Sequence, residues 1–140
     1  MEKVALVFDP DNAKAAEYVR DRLSSFNAAR TGDESYYPCN IFLKGEKGET
    51  LGGLLAYVWG GWLFVAILWV DEALRGTGHA TKLMDAAEDY ARQRKCHSAY
   101  LDTHSWQARP FYEKRGYEVF ATLDGFPGEH KKFFLKKKLT

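Results

Sequence analysis

At 140 residues, 46% of them hydrophobic and 15% aromatic, the chain is long enough to bury one ordinary core and too rich in rings for a disordered or fibrous protein. Twenty lysines and arginines against nineteen aspartates and glutamates leave a formal net charge of +1, so no global field gathers nucleic acid or an acidic membrane. Cys39 and Cys96 lie far apart in no metal-ligand spacing, which argues against a disulfide framework or a zinc site and for a reducing, cytoplasmic setting.

Val4 to Phe8 alternates loosely and is β-rich, so it is expected to form a first strand; the flanking Glu2 and Asp9 are wrong for a signal peptide. Asp9-Pro10 then marks a helix start, with Asp9 able to cap and Pro10 in a first turn where its missing N–H costs nothing. Ala16, Val19, Leu23 and Phe26 predict an apolar stripe on a helix that ends near Ala28. Residues 30–38 have no period and read as a loop or short irregular helix. Asn40–Lys44, Thr50–Trp59 and Trp62–Val70 are expected as strands, joined by the tight connection Gly45-Glu46-Lys47-Gly48 and the hairpin turn Gly60-Gly61. Gly52-Gly53 predicts a bulge or a close backbone approach. The run Gly60–Val70 is too short to cross a bilayer and has the apolar pattern of a central strand covered on both faces.

A second helix is expected over about Thr77–Arg94. Ala80, Leu83, Met84, Ala87 and Ala91 fall on one face, and Lys82, Asp85, Glu88, Asp89 and Arg92 on the other. Ala99–Thr103 reads as a strand and Gln107–Arg115 as a short helix that tolerates Pro110 in its first turn and stops at Gly116. Tyr117–Leu123 and Lys132–Leu139 form a final antiparallel pair around Asp124-Gly125-Phe126-Pro127-Gly128. Lys131, Lys132, Lys136, Lys137 and Lys138 are read as the solvated face and end of an edge strand, with a phosphate patch as the alternative. The order β-α-β-β-β-α-β-α-β-β, without repeat or linker, describes one α/β (α+β) domain over residues 1–140, its mixed, mostly antiparallel sheet flanked by helices.

The run from Leu68 to Ala80 carries the chemistry. An apolar strand feeds the turn Arg75-Gly76-Thr77-Gly78-His79-Ala80, which opens at once into an amphipathic helix. Glycines let backbone amides approach a ligand, and the first-turn N–H groups lack partners, so a phosphate-bearing group fits. A P-loop would need lysine and then Ser or Thr after the last glycine, where His79-Ala80 stands. A dinucleotide fingerprint would need Gly or Ala at Thr81 and, about twenty positions on, an acidic residue that His97–Tyr100 does not offer. The pattern met is Arg/Gln-x-x-Gly-x-Gly/Ala, with Arg75, Gly78 and Ala80. A turn that needs glycine only for its backbone angles is the plainer alternative.

The element order, Leu68-Trp69-Val70 ahead of that turn, and the block Ala108-Arg109-Pro110-Phe111-Tyr112-Glu113-Lys114-Arg115-Gly116-Tyr117 resemble the GCN5-related N-acetyltransferase (GNAT) family over nearly the whole chain. The resemblance implies a sheet whose central strand parts from the next, acetyl-CoA as cosubstrate, and no metal. It implies that the backbone of Leu68, Trp69 and Val70 pairs with the pantetheine arm and polarises the thioester carbonyl, and that Arg75, Gly76, Thr77, Gly78, His79 and Ala80 hold the pyrophosphate. Tyr112 matches the family's helix-borne tyrosine, a general acid for the leaving thiolate; a core position beside Phe111 is the alternative. Ser105 stands where the family often has asparagine and would bind the cofactor through its hydroxyl.

Many family members carry a glutamate base in the central strand, but Trp62–Val70 contains no carboxylate. Glu72, acting through water, and His104 are the candidates, with Asp71 and Asp102 as alternatives; each is equally an ordinary surface or structural residue. The acceptor, a primary amine of a small molecule or peptide, is expected between residues 30–38 and the last hairpin, where Asp33, Glu34, Tyr36, Tyr37, Asp124, Phe126 and Glu129 gather rings and carboxylates. With no cysteine in either motif, direct attack in a ternary complex is expected. A homodimer, common in the family, could use the aromatic hairpin Tyr57–Trp62. A non-catalytic acyl-CoA-binding or interaction module on the same fold is the rival reading, kept open by the missing carboxylate.

Overall fold

A strand exists only against a ladder partner, and Val4–Phe8 has none within its own unit. The computed structural model describes residues 2–140 and divides into two compact units, the first ending at Glu34. In that first unit the expected opening strand is unpaired chain, with Val4, Leu6 and Phe8 exposed. Alternation and β-propensity alone do not make a strand. Helix α1 (Ala13–Thr31) is capped by Asn12, whose side chain accepts from the Ala15 N–H at 2.9 Å. Asp9, the expected cap, instead accepts from the Asn12 side-chain amide at 3.0 Å. The helix runs past Ala28 because residues 29–31 hold helical geometry until Gly32, which ends it at φ +72°. The stripe Val19, Leu23 and Phe26 is exposed.

The second unit is a six-stranded sheet in the order β1-β2-β3-β4-β6-β5. Its strands are β1 (Tyr37–Lys44), β2 (Thr50–Trp59), β3 (Trp62–Val70), β4 (Ser98–His104), β5 (Glu118–Asp124) and β6 (Lys131–Lys138). Every pairing is antiparallel except β3 with β4. β2 and β3 span the residues expected, because Gly60 and Gly61, both at positive φ, form the turn between them. Both readings of Gly52-Gly53 hold: Leu43 faces Gly52 and Lys44 faces Thr50, so Leu51 is an extra residue beside Gly52, and a Cβ on Gly52 would stand 2.8 Å from the Trp69 carbonyl oxygen and 3.1 Å from the Val70 Cα.

Helices α2 (His79–Gln93) and α3 (Arg109–Lys114) complete the unit. Leu83, Met84, Ala87 and Ala91 of α2 pack into a core with Leu54, Val58, Leu63, Leu101 and Leu135 from the sheet. Glu88, expected on the solvated face of α2, is buried with them at 2% exposure. It is tolerated there because four groups surround it. Lys137 Nζ and Tyr117 Oη donate to its two oxygens at 2.8 and 2.9 Å, and Arg115 and Arg92 stand 3.2 and 3.7 Å away. The lysine-rich strand is also corrected. β6 lies between β4 and β5 rather than at an edge. Lys131, Lys132 and Lys137 pair with Asp124, Asp102 and Glu88, so these lysines offset carboxylates of neighbouring elements. Among the described residues no helix is long and apolar enough to cross a membrane.

Candidate active site

β3 and β4 begin as neighbours and then separate. Their parallel register runs from Trp62–Ser98 to Val65–Leu101 and stops, while β3 continues to Val70 and β4 to His104. On its other side β3 stays paired with β2 to its end, but with a slip: Ala56 faces Val65 and Leu55 faces Ile67, so Ala66 is an extra residue. Such a bulge bends and twists its strand. It also resets the alternation, since Leu63 and Val65 face the core before it and Leu68 and Val70 after it. Residues 66–70 thus have a ladder on the β2 side only, and the opposite side opens on a cavity of about 930 Å³. Leu68, Trp69 and Val70 line it.

The turn beyond β3 is held by its own side chains. Asp71 accepts from the Ala73 N–H at 3.1 Å and caps the 3-10 turn Glu72–Leu74, so its carboxylate has a structural task. Arg75 Nε donates to the Val70 carbonyl at 3.1 Å, tying the turn back to the strand end. The Thr77 hydroxyl donates to the Leu74 carbonyl. Gly76 and Gly78 lie at φ +78° and +85°, and a Cβ on either would meet nothing within 4 Å. Glycine is therefore required here by backbone angle, not by crowding. Gly78 caps α2 without any side-chain hydrogen bond, which leaves the first-turn amides of a 15-residue helix without a side-chain acceptor. Those amides, the positive end of the helix dipole and Arg75 suit a phosphate-bearing ligand. Arg75, Gly76, Gly78, His79 and Ala80 line the cavity; Thr77 and Glu72 do not.

The facing wall comes from the end of β4 and from α3. Tyr112 lines the cavity with only 6% of its surface exposed. Burial, helped by the nearby Asp102 charge, pushes its phenol up to about 12. His104 also lines the cavity, and its ring is oriented by Gln107. The backbone N–H of His104 can only donate, so the group 2.7 Å from it is the Gln107 amide oxygen. That oxygen can only accept, so His104 Nδ1, 3.1 Å away, carries the hydrogen of the neutral ring and Nε2 is its basic nitrogen. Asp102 lines the cavity but stands 3.6 Å from Lys132.

Ser105 lies outside the lining. Its hydroxyl accepts from the Lys131 N–H at 3.1 Å and bonds His130 Nδ1 at 3.0 Å, fastening the β4–α3 connection to β6. Within the second unit, three of the residues expected around the acceptor are engaged elsewhere. Tyr36 packs on Tyr57, Tyr37 lies under the Arg94 guanidinium, and Asp124 pairs with Lys131. Phe126 does reach the site, with its ring 5.3 Å from that of His104. Gln107, Trp106 and Phe111 line the cavity without having been singled out. No spacing marks Trp106 and Gln107, because the β4–α3 connection that holds them has no period; Phe111 lies in α3 beside Tyr112.

The chain is similar to known proteins over most of its length. Residues 5–117 match the model of the acetyltransferase (GNAT) family. An acetyltransferase of Agrobacterium fabrum is 35% identical over 130 residues, 93% of this chain and 95% of the relative. The blasticidin-S acetyltransferase of Streptomyces morookaense is 38% identical over 96 residues, 68% of this chain and 71% of the relative. A crystal structure assigned as an acetyltransferase, from Agrobacterium tumefaciens, superposes with a TM-score of 0.90 at 34% identity, covering 97% of this chain and 99% of that one. With its mixed sheet parting between β3 and β4, the chain belongs to the GNAT family and is an acyltransferase of the acetyl-CoA-dependent kind.

Proposed function

We propose that the protein transfers an acetyl group from acetyl-CoA to a primary amine of a small molecule or peptide by direct attack in a ternary complex. On this reading residues 1–140 act as one N-acetyltransferase domain in the cytoplasm. The observation that carries it is the opening of β3 from β4 into a cavity lined by an uncapped helix start and also by Tyr112 and His104. Arg75 and the amides from Gly76 to Ala80 hold the pyrophosphate, and the free side of residues 68–70 pairs with the pantetheine arm. Bound acetyl-CoA supplies an acyl carbon already activated as a thioester.

His104 Nε2, directly or through one water, takes the proton that the amine must lose as its C–N bond forms. Tyr112 donates a hydrogen bond to the sulfur as the C–S bond breaks. Its phenol at about 12 stays protonated throughout the working range. Full transfer to a thiolate with a pKa near 8.5 runs uphill, so its contribution is donation to the departing charge. Glu72, exposed and off the cavity, is the weaker candidate for the base. A homodimer would use the hairpin carrying Tyr57, Trp59 and Trp62, which borders a second, shallower groove. Light scattering that returns a monomer at all concentrations removes this part.

The test is an amine panel read by release of free CoA: polyamines, aromatic monoamines, aminoglycosides, a lysine-terminated peptide, and blasticidin S, because of the relative's name. Release that depends on an amine supports the reading. Acetyl-CoA binding without turnover on any member overturns it.

A further inference from the structure

Where the β4–α3 connection walls the cavity, flat rings stand rather than acids. His104 and Trp106 stack with centroids 4.5 Å apart and planes 22° apart, and Phe126 leans on His104 at 5.3 Å. These rings come from β4, from the β4–α3 connection and from the β5–β6 connection, so the fold and not one local sequence assembles them. Trp106 is 52% exposed and Phe126 41%. On the β3 side of the same cavity Trp69 is 50% exposed. Clustered, half-wet aromatic surface at a cavity mouth marks a place that something flat and apolar covers.

Charge points the same way. Among the described residues that line the cavity, Asp102 is the one carboxylate, and Lys132 stands 3.6 Å from it with both side chains mostly covered. Lys132 Nζ also lies 4.9 Å from the centre of the Phe126 ring. A polyamine, an aminoglycoside or a basic peptide carries several positive charges and needs an excess of acid to hold them. The cavity has none.

We infer that the preferred acceptor is a monoamine borne on a flat, π-bonded body, which lies against the exposed surface of Trp106 with its amino group turned inward toward His104 Nε2. The inference rests on the acetyl-transfer reading and names the class of amine for it. Initial rates with acetyl-CoA should give tryptamine and phenethylamine a kcat/KM at least about tenfold above spermidine, kanamycin and a lysine-terminated peptide. Trp106→Ala should raise the KM for tryptamine about tenfold while leaving the KM for acetyl-CoA in place. Phe42→Ala, which removes an exposed ring on β1 outside the cavity, should move neither.

Saturation-transfer NMR on the CoA-loaded enzyme gives a readout that needs no turnover: tryptamine signal in the wild type, reduced in Trp106→Ala. Spermidine or the peptide equalling the aromatic amines overturns the inference and leaves acetyl transfer standing. Tryptamine that neither binds nor competes also overturns it. Tryptamine that binds in a Trp106-dependent way while no amine is acetylated supports the ring platform and sinks the transfer reading instead.

Discussion

Tyr112 and His104 face one cavity from different elements and are set in opposite ways, one by burial and one by a hydrogen bond. Because burial holds the Tyr112 phenol up to about 12, no loss of rate from its ionisation is expected below about pH 11. Tyr112→Phe should lower kcat by about 10- to 100-fold with little change in the KM for acetyl-CoA, as measured by CoA release; an unchanged kcat removes its role. Gln107→Leu takes away the acceptor that places the hydrogen on His104 Nδ1. It should lower kcat about tenfold and mix the two ring tautomers, which a ¹⁵N imidazole spectrum reads directly, and a wild-type ring with its hydrogen on Nε2 contradicts the assignment. At this scale the place of Tyr112 in the cavity wall was legible because its motif is a local run. Gln107 was not, since its task is defined by a ring and a backbone amide three residues away in an irregular connection.

Among the elements, the end of β3 and the start of α2 matter most. Gly52→Ala puts a methyl group 2.8 Å from the Trp69 carbonyl oxygen, and backbone cannot swing aside as a side chain would. It should cost about 1–3 kcal/mol in stability, read by denaturant unfolding, and raise the KM for acetyl-CoA by moving residues 69–70. Gly78→Ala meets no neighbour but must hold φ +85°, at a cost of about 1–2 kcal/mol. Its KM for acetyl-CoA should rise more than that of His79→Ala, whose backbone amide survives the change. β2, β3 and the core stripe of α2 were readable because hydrophobic period and turn glycines coincide there. Val4–Phe8 was misread for the complementary reason: a period-2 pattern states what a strand would bury, not whether a partner edge is present.

Over the second unit as a whole, stability gathers on Glu88. Glu88→Gln would leave Lys137 and Arg115 facing a neutral amide, and losing one member of a buried charge cluster costs about 3–5 kcal/mol. A fall in Tm on the order of 10 °C is expected by calorimetry. The buried tyrosines set the alkaline limit. The pKa values of Tyr112 and Tyr117 are both raised chiefly by burial, and Glu88 adds to the rise at Tyr117. A raised pKa means that the folded state holds the proton more tightly. The stability it brings is full below the unfolded value near 10 and is lost as pH climbs through the folded value. For Tyr112 that window is about pH 10 to 12. Thermal melts across it should fall less steeply for Tyr112→Phe than for the wild type.

By itself the amino-acid sequence determined the glycine turn that opens α2, the strands β2 and β3, the amphipathic stripe of α2 and the resemblance to acetyltransferases. Each of these is written in residues close together along the chain, where period and turn chemistry act. Tertiary structure alone decided that the lysine-rich strand lies inside the sheet, that Glu88 is buried among cations, that Ala66 bulges, and that the rings of Trp106 and Phe126 meet His104, which lines the cavity. Those depend on which strand lies beside which and in what register, and pairing across long sequence separations leaves no period in the chain.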